Sequence, residues 1–139
     1  MNSKEAAEMF DLTTDTVRYY ERVGVIPPIK RDKNGYRVYT TRDLNWIYLA
    51  KSLRQAGVSI ESLIEFATLS QLGGNVENAQ KQILHDQLQE ITDKLEKMTK
   101  TRDLLQYKID TYDEHIAKFK SGEVTSDNVE ELWKVNVKK

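Results

Sequence analysis

Cysteine is absent from the 139 residues of this chain. Disulfide bonds, thiolate metal sites and thiol redox chemistry are therefore excluded. Long apolar runs are absent too, because no stretch approaches the roughly 18 residues of a membrane-spanning helix, and no signal-peptide pattern opens the chain. We therefore expect a cytoplasmic protein that does not associate with membranes.

Catalytic groupings are also missing from the sequence. No carboxylate pair, nucleophile–base set or glycine-rich phosphate loop stands out, so we expect no enzymatic activity and no cofactor. The two histidines, His85 and His115, lie thirty residues apart, and we expect no metal site from them.

The net charge is small but unevenly distributed. Over the whole chain it is −1. Residues 1–56 contain ten Lys and Arg against seven Asp and Glu, a net +3, whereas residues 57–139 contain eleven against fifteen, a net −4. A basic first part is compatible with nucleic-acid binding, even though the total charge is slightly negative.

A short helix with a cationic face is predicted from Thr13 onward. Thr13 can cap its N-terminus, and Gly24 with the prolines after it ends it after about ten residues. At 100° per residue, Val17 and Tyr20 share one side, which can pack against a core. The opposite side carries Thr14, Asp15, Arg18, Tyr19 and Arg22.

A basic hairpin is predicted directly after this helix. The turn at residues 32–35 contains an Asn-Gly pair, a strong hairpin signal, and residues 36–39 supply the returning strand. From Arg18 to Arg37 the chain has six Lys and Arg against two acidic residues. This arrangement suits binding to a phosphate backbone. Arg18 and Arg37 could instead form ion pairs with Glu21 or Asp32.

The remaining elements of the first half are helices. Asn2 or Ser3 can cap a first helix, and a short link then joins it to the cationic helix as a helix-turn-helix. Thr40 and Ser59 can cap two more helices after the hairpin. We therefore expect a winged helix-turn-helix DNA-binding domain over residues 1–70 and a linker at 71–75.

A long coiled-coil helix is predicted over residues 76–120. Its apolar residues follow a heptad pattern that is interrupted at Arg102. The stripe consists of Leu84, Leu88, Ile91, Leu95, Met98, Leu105, Ile109, Tyr112, Ile116 and Phe119. No helix breaker between residues 76 and 119 lets the chain fold back on itself, so about 54 Å of apolar stripe needs a second copy. The pattern suits either helix direction, and we predict an antiparallel homodimer.

The C-terminal segment, residues 121–139, contains a short apolar patch in an acidic setting. The patch comprises Val129, Leu132, Trp133 and Val135. Two interpretations stay open, a small helix docked on the dimer and part of a ligand pocket. The predicted fold class is thus mainly α: a winged helix-turn-helix head with a small β-hairpin wing, followed by a long dimerisation helix.

The first half of the chain resembles the MerR family of bacterial transcription regulators. The resemblance covers residues 3–70 and is carried by TDTVRYYERVGVIPP, NGYRVY and DLNWIYLAKSLRQAGVSIE. It implies a homodimer that binds a palindromic promoter site in double-stranded DNA. It also implies activation by twisting promoter DNA whose spacer is too long for RNA polymerase.

The basic pattern and the resemblance together give candidate DNA-binding residues on the cationic helix, in the wing and at a later helix start. These are Thr14, Arg18, Tyr19, Arg22, Arg31, Lys33, Tyr36, Arg37, Tyr39 and Ser59. Thr14, Arg31 and Lys33 come from the pattern alone, and the resemblance implies the others. Ser59 belongs to them because backbone N–H groups at a helix N-terminus favour phosphate. Tyr36 and Tyr39 could instead pack under the wing.

The sequence also departs from the family's sensing patterns. It is most similar to the aldehyde- and electrophile-responsive branch, which has a reactive cysteine before LRxAG, but AKSLRQAG has Ser52 there. A serine hydroxyl is not acidic enough to replace that thiol at neutral pH. Thiolate metal sensing is excluded, and we do not expect a large drug-binding domain in the about twenty residues after Phe119.

The mode of regulation stays open at this point. The sequence does not identify a small-molecule inducer, the target genes, or whether the protein activates or represses. A repressor that acts by occlusion without an inducer is one alternative. A coiled-coil module whose winged helix binds protein is another.

Overall fold

The computed structural model describes residues 1–136, and within them the chain is helical. The helices are α1 (Ser3–Met9), α2 (Thr14–Val23), α3 (Thr41–Gln55), α4 (Ile60–Gln71) and α5 (Glu77–Ser121), and a short 3-10 turn follows at Leu132–Lys134. The chain divides into two compact units, Met1–Gln89 and Glu90–Lys139. The mainly α fold class is therefore confirmed. None of the described helices is long and apolar enough to cross a membrane.

The first four helices begin where the sequence predicts, because each of these starts has a side chain that accepts from an orphan N–H group. Asn2 forms a capping box with Glu5, and Thr40 forms one with Asp43. Thr13 and Ser59 cap α2 and α4 by accepting from Thr16 N and Ser62 N. Gly24 ends α2 with φ 89°, a left-handed conformation that suits glycine.

The core of the first unit lies where α1 and α2 meet the later helices. Val17 on α2 is buried as expected, and Ala6 and Ala7 on α1 and Ile47 on α3 are buried with it. Small alanines allow close approach of the two helices of the helix-turn-helix. The segment after α2 also contributes Val25, Ile26 and Ile29 to the core, which its lack of periodicity did not predict.

The wing is shorter than the predicted two-stranded hairpin. Its pairing consists of one isolated antiparallel bridge between Arg31 and Arg37. The turn is as predicted, with Asp32 O accepting from Gly35 N at 3.0 Å. Two backbone hydrogen bonds flank this bridge, from Asp32 N to Tyr36 O and from Val38 N to Lys30 O, each 2.8 Å long. Tyr39 N, on the outer side of the returning segment, donates to Met1 O at 2.8 Å. The returning segment is thus tied to the start of the chain.

In the second unit, the tail (residues 122–136) turns back along its own helix. Gly122 follows the end of α5 with φ 81°, and Val124 N then donates to Lys118 O at 3.1 Å. Further along, the Glu130 carboxylate accepts from the Tyr107 hydroxyl and lies 3.4 Å from His115 Nδ1. The last three residues of the predicted C-terminal segment lie outside the described ones.

The tail begins at the edge of the apolar stripe and runs toward the opposite side of α5. At 100° per residue, Tyr107 lies about 160° around the helix from the centre of the second half of the stripe, Leu104 about 100° and His115 about 80°. Phe119, the last stripe residue, lines a cavity together with Val124 and Val129 of the tail. The predicted terminal helix is a single 3-10 turn whose Trp133 is exposed. The tail therefore docks on its own helix, meets the stripe only near Phe119 and leaves the rest of it exposed.

Candidate nucleic-acid interface

Helix α2 separates a buried side from a cationic side. Val17 and Tyr20 point into the core, and burial raises the pKa of the Tyr20 phenol above its usual range, against the opposing effect of nearby Arg54. Arg18 and Arg22 lie on the exposed side. This is the division that the sequence predicts for a helix that packs on one side and binds an anion on the other.

The tyrosine on the cationic side of α2 has a partner within the helix. The Arg22 guanidinium lies 5.4 Å from the centroid of the Tyr19 ring. This distance suits a cation–π interaction, which limits the rotamers of both side chains. Both groups stay accessible enough to meet a ligand on this face, since Arg22 is exposed and Tyr19 is half-buried.

Glu21 connects α2 to the wing. One carboxylate oxygen accepts from Arg37 Nε at 2.6 Å, and the other accepts from Ile29 N at 2.8 Å. The two side chains of the ion pair are 15% and 23% exposed, for Glu21 and Arg37 respectively. The ion pair anticipated for Arg37 as an alternative to DNA contact is therefore present, and it gives Arg37 a positioning role in the wing.

The wing residues around the turn are exposed. Arg31 Nη1 donates to Gly35 O at 2.8 Å across the turn, and Tyr36 has 71% of its surface exposed. Asp32 Oδ1 accepts from the N–H groups of Asn34 and Tyr36, which holds the turn closed. The turn carries Lys33, also exposed, at its tip.

Tyr39 lies mostly beneath the wing. Its side chain is 4% exposed, and the Ser3 hydroxyl donates to its phenol oxygen at 3.1 Å. This placement favours packing under the wing, the alternative that the sequence left open. The contact of Tyr39 with DNA stays a prediction.

A cleft brings the predicted residues of the helix and the wing together. Its volume is about 350 Å³. It is lined by Asn2, Ser3, Lys4, Thr14, Arg18, Arg31, Gly35, Tyr36 and Arg37. Four of these residues are cations and none is acidic. Guanidinium and ammonium groups around one concave surface can hold phosphate oxygens by charge-assisted hydrogen bonds.

Lys4 and the start of α1 were missed by the sequence reasoning. Lys4 is exposed and lines the same cleft as Arg18. It is an isolated cation in the sequence, with no motif around it, so no local signal pointed to a ligand. Its place in the cleft depends on Tyr39 N bonding to Met1 O, which ties the wing to the chain start.

Besides Tyr39, four predicted contacts lie outside this cleft. They are Tyr19, Arg22, Lys33 and Ser59. The Ser59 hydroxyl caps α4 and lies 3.0 Å from the Ser62 hydroxyl. Its role as a phosphate contact stays a prediction, as do those of the other three.

The apolar stripe of α5 is largely exposed within one chain. In the first unit Leu84 and Leu88 are 43% and 61% exposed. In the second unit the exposed fraction reaches 69% at Met98 and 70% at Ile109, and the other exposed members are Leu95, Leu105, Tyr112, Ile116 and Phe119. Ile91 is half-buried. So large an exposed apolar surface indicates an interface.

Residues 1–136 contain no cluster of three or more side chains that could hold a metal ion. Ser52, at the position where the resemblance places a reactive cysteine, is half-buried within α3.

Comparison with known proteins identifies similar sequences. Residues 1–68 match the profile of the family described as MerR HTH family regulatory protein. The chain is 48% identical to the HTH-type transcriptional regulator AdhR of Bacillus subtilis over 91 residues, which are 66% of this chain and 65% of AdhR. It is 35% identical to the regulator YyaN of the same organism over 120 residues, 78% of this chain and 87% of YyaN.

Two solved structures are similar over most of the chain. One, described as a MerR family transcriptional regulator from Listeria monocytogenes, has a TM-score of 0.79 and 38% identity, and the match covers 88% of this chain and 92% of that one. The other is HiNmlR, a MerR family regulator lacking the sensor domain, bound to promoter DNA. It has a TM-score of 0.74 and 27% identity, with 84% of this chain and 92% of that one covered.

Proposed function

This chain belongs to the MerR family of helix-turn-helix regulatory proteins, and from that premise we propose that it is a homodimeric transcription regulator that binds a palindromic promoter site. The proposal agrees with the names of two bacterial relatives, AdhR and YyaN, which are both called transcriptional regulators. The protein acts in the cytoplasm, where bacterial promoters are, and regulates without catalysing a reaction.

The basic cleft between α2 and the wing is the observation that carries the proposal. It combines Arg18 from α2 with Arg31 and Arg37 from the wing, and none of the residues that line the cleft has a carboxylate. In a helix-turn-helix, the second helix enters the major groove with its N-terminal residues toward the base edges. Arg18, one turn into α2, is then placed to bind a base or a phosphate, and the wing to bind the flanking backbone.

The stripe on α5 supplies the dimer interface. Its apolar residues pair with those of a second copy, antiparallel, over residues 76–120. HiNmlR, whose structure contains promoter DNA, matches this chain through 84% of its length and thus well into α5. Two identical heads fit a palindromic site because the symmetry of the protein matches that of the DNA.

Regulation proceeds through distortion of the promoter spacer. Bending or untwisting a short DNA segment costs a few kcal/mol, which additional phosphate contacts can offset. RNA polymerase is then affected through the shape of the promoter. Since Ser52 lacks a thiol, any inducer acts by another route than thiol addition.

A gel-shift titration with the full chain and its own upstream DNA tests the proposal. We expect a shift whose affinity falls steeply with salt, because bound phosphates release counterions. Arg18→Ala should weaken specific binding by about 1–3 kcal/mol. Lys97→Ala, which removes an exposed cation from α5, should leave the affinity unchanged and serves as the matched control.

The absence of any shift at low salt would contradict the proposal. Unchanged affinity and site preference in Arg18→Ala would remove Arg18 from the DNA contacts. Footprinting with a conformation-sensitive nuclease separates distortion from occlusion, because an undistorted spacer would favour a plain repressor.

A further inference from the structure

Arg102 divides the apolar stripe of α5 into equal halves. Five apolar residues precede it, from Leu84 to Met98, and five follow it, from Leu105 to Phe119. It occupies the position at which the heptad pattern requires another apolar residue. A single charged residue in the middle of an otherwise continuous stripe calls for a physical explanation.

The structure shows how this charge is held. Arg102 Nη2 lies 3.2 Å from Asp103 Oδ1, and Nε lies 3.4 Å from the same oxygen. The Arg102 side chain is 62% exposed and that of Asp103 17%. The ion pair with the adjacent residue draws the guanidinium toward the edge of the stripe, so that the methylene groups of Arg102 can cover apolar surface while its charge stays in water.

The equal halves matter when two copies pair antiparallel. Full overlap of the stripe brings Met98 near Leu105 of the second copy and, at the ends, Leu84 near Phe119. All ten apolar residues of each copy then have apolar neighbours, and the two Arg102 side chains lie within about one heptad layer of the two-fold axis. In this alignment the Arg102 residues of the two copies lie opposite each other.

A displaced alignment of the two helices is less favourable because fewer apolar residues keep apolar neighbours. Sliding by one heptad leaves two of the ten apolar residues of each copy, at an end of the stripe, without an apolar neighbour. A third, Leu95 or Ile109, then faces Arg102, which offers it methylene groups beside a charge in place of a full apolar side chain. With leucine at position 102, the same displacement would expose only the two at the end. The arginine therefore increases the difference between the centred and the displaced alignments.

We propose that Arg102 sets the register of the dimer and marks the position of its two-fold axis. This inference rests on the antiparallel homodimer of the proposed function. A single polar residue in a coiled-coil seam is known to specify register at a cost in stability. Here a displacement of one heptad moves the DNA-binding residues of one copy by about 10 Å relative to the other, about three base pairs. Register thus determines which half-site spacing the dimer fits.

The absence of cysteine makes disulfide cross-linking a direct test, because each introduced cysteine is the only thiol in its chain. Thr101→Cys lies beside the proposed axis and should form a disulfide with itself between copies under mild oxidation. Met98→Cys and Leu105→Cys should cross-link weakly, since each lies about 10 Å from its counterpart in the centred register, beyond the reach of a disulfide.

The register-setting role is tested by repeating the scan after changing Arg102. In Arg102→Leu, cross-linking at positions 98 and 105 should rise as displaced alignments become populated, while the dimer dissociation constant falls on the order of tenfold. Arg102→Lys keeps a charge and should retain the wild-type pattern. An unchanged pattern in Arg102→Leu would overturn the proposal, as would a cross-linking maximum away from residue 101.

The same samples separate this inference from the proposed function. Sedimentation and gel shift are measured on the wild-type protein. A dimer that shifts promoter DNA but cross-links elsewhere removes the role of Arg102 and keeps the regulator. Efficient self-cross-linking of Leu88→Cys and of Ile116→Cys, each alone, would indicate parallel helices and overturn both the register and the antiparallel dimer. A monomer at physiological salt would overturn the homodimer and the inference with it.

Discussion

Glu21→Ala should destabilise the first unit and loosen the wing without removing any cation from the cleft. The substitution leaves two groups without their acceptor, the Arg37 guanidinium and the Ile29 N–H. Both bonds lie in a partly buried setting, where Glu21 is 15% exposed and Arg37 23%. Breaking one partner of a fully buried ion pair costs about 3–5 kcal/mol, and residual hydration of this pair reduces the expected loss to about 2–3 kcal/mol.

The assay is urea denaturation of the full chain at one fixed protein concentration, because dimerisation makes apparent stability depend on concentration. Glu21→Gln is the matched variant. It retains an oxygen that can accept from Ile29 N but cannot form the ion pair, so its loss should be smaller. A change below about 0.5 kcal/mol for Glu21→Ala, the range of ordinary surface substitutions, would refute the idea that this carboxylate holds the wing.

A double-mutant cycle with Arg37→Ala gives the coupling between the two side chains. If Arg37 acts mainly by positioning the wing, Glu21→Ala and Arg37→Ala should weaken DNA binding to a similar degree, and the double variant should add little. A much larger loss for Arg37→Ala would show that its guanidinium also contacts the DNA.

Three further predictions follow from contacts elsewhere in the chain. Tyr39→Phe removes the hydrogen bond from Ser3 and should cost about 1 kcal/mol in unfolding free energy with unchanged DNA affinity; weakened binding at equal stability would show that Tyr39 contacts the DNA. Ile109→Lys places a charge on the exposed stripe and should shift the sedimentation equilibrium toward monomer, whereas an unaltered dimer would mean that this face is not the interface. The hydrogen bond to the Glu130 carboxylate raises the pKa of Tyr107 above its ordinary 10.0, so this contact favours tail docking below pH 10 and is lost as the pH rises through the raised pKa. Hydrogen exchange in the tail should report that transition, and Tyr107→Phe should abolish it.

The similarity to known regulators and the loss of thiol chemistry bear on how this protein is controlled. AdhR matches the chain over 65% of its own length, so the remaining third of AdhR adds nothing to the assignment of a signal here. HiNmlR, described as lacking a sensor domain, shows that a similar chain binds promoter DNA in that form. Ser52 is placed in α3 within the first unit, and a serine there offers a hydrogen-bonding group but no nucleophile at neutral pH.

Local sequence determined the helices and their ends. Thr13, Thr40 and Ser59 cap the helices they were predicted to cap, and Gly24 ends α2. These predictions were reliable because capping depends on groups within one turn of each other, so a short stretch contains all the participants. The heptad stripe was equally readable, since its period is a property of the sequence alone.

Tertiary structure decided what the wing and the cleft consist of. Glu21 and Arg37 are sixteen residues apart, and Ser3 and Tyr39 thirty-six, so no local pattern shows that the first pair forms an ion pair or that the second buries a predicted DNA contact. Lys4 joins the cleft for the same reason, through the bond from Tyr39 N to Met1 O. Sequence patterns specify which side chains can meet an anion, but only the packing of distant segments determines which remain accessible, because each hydrogen bond made within the fold occupies a group that DNA would otherwise use.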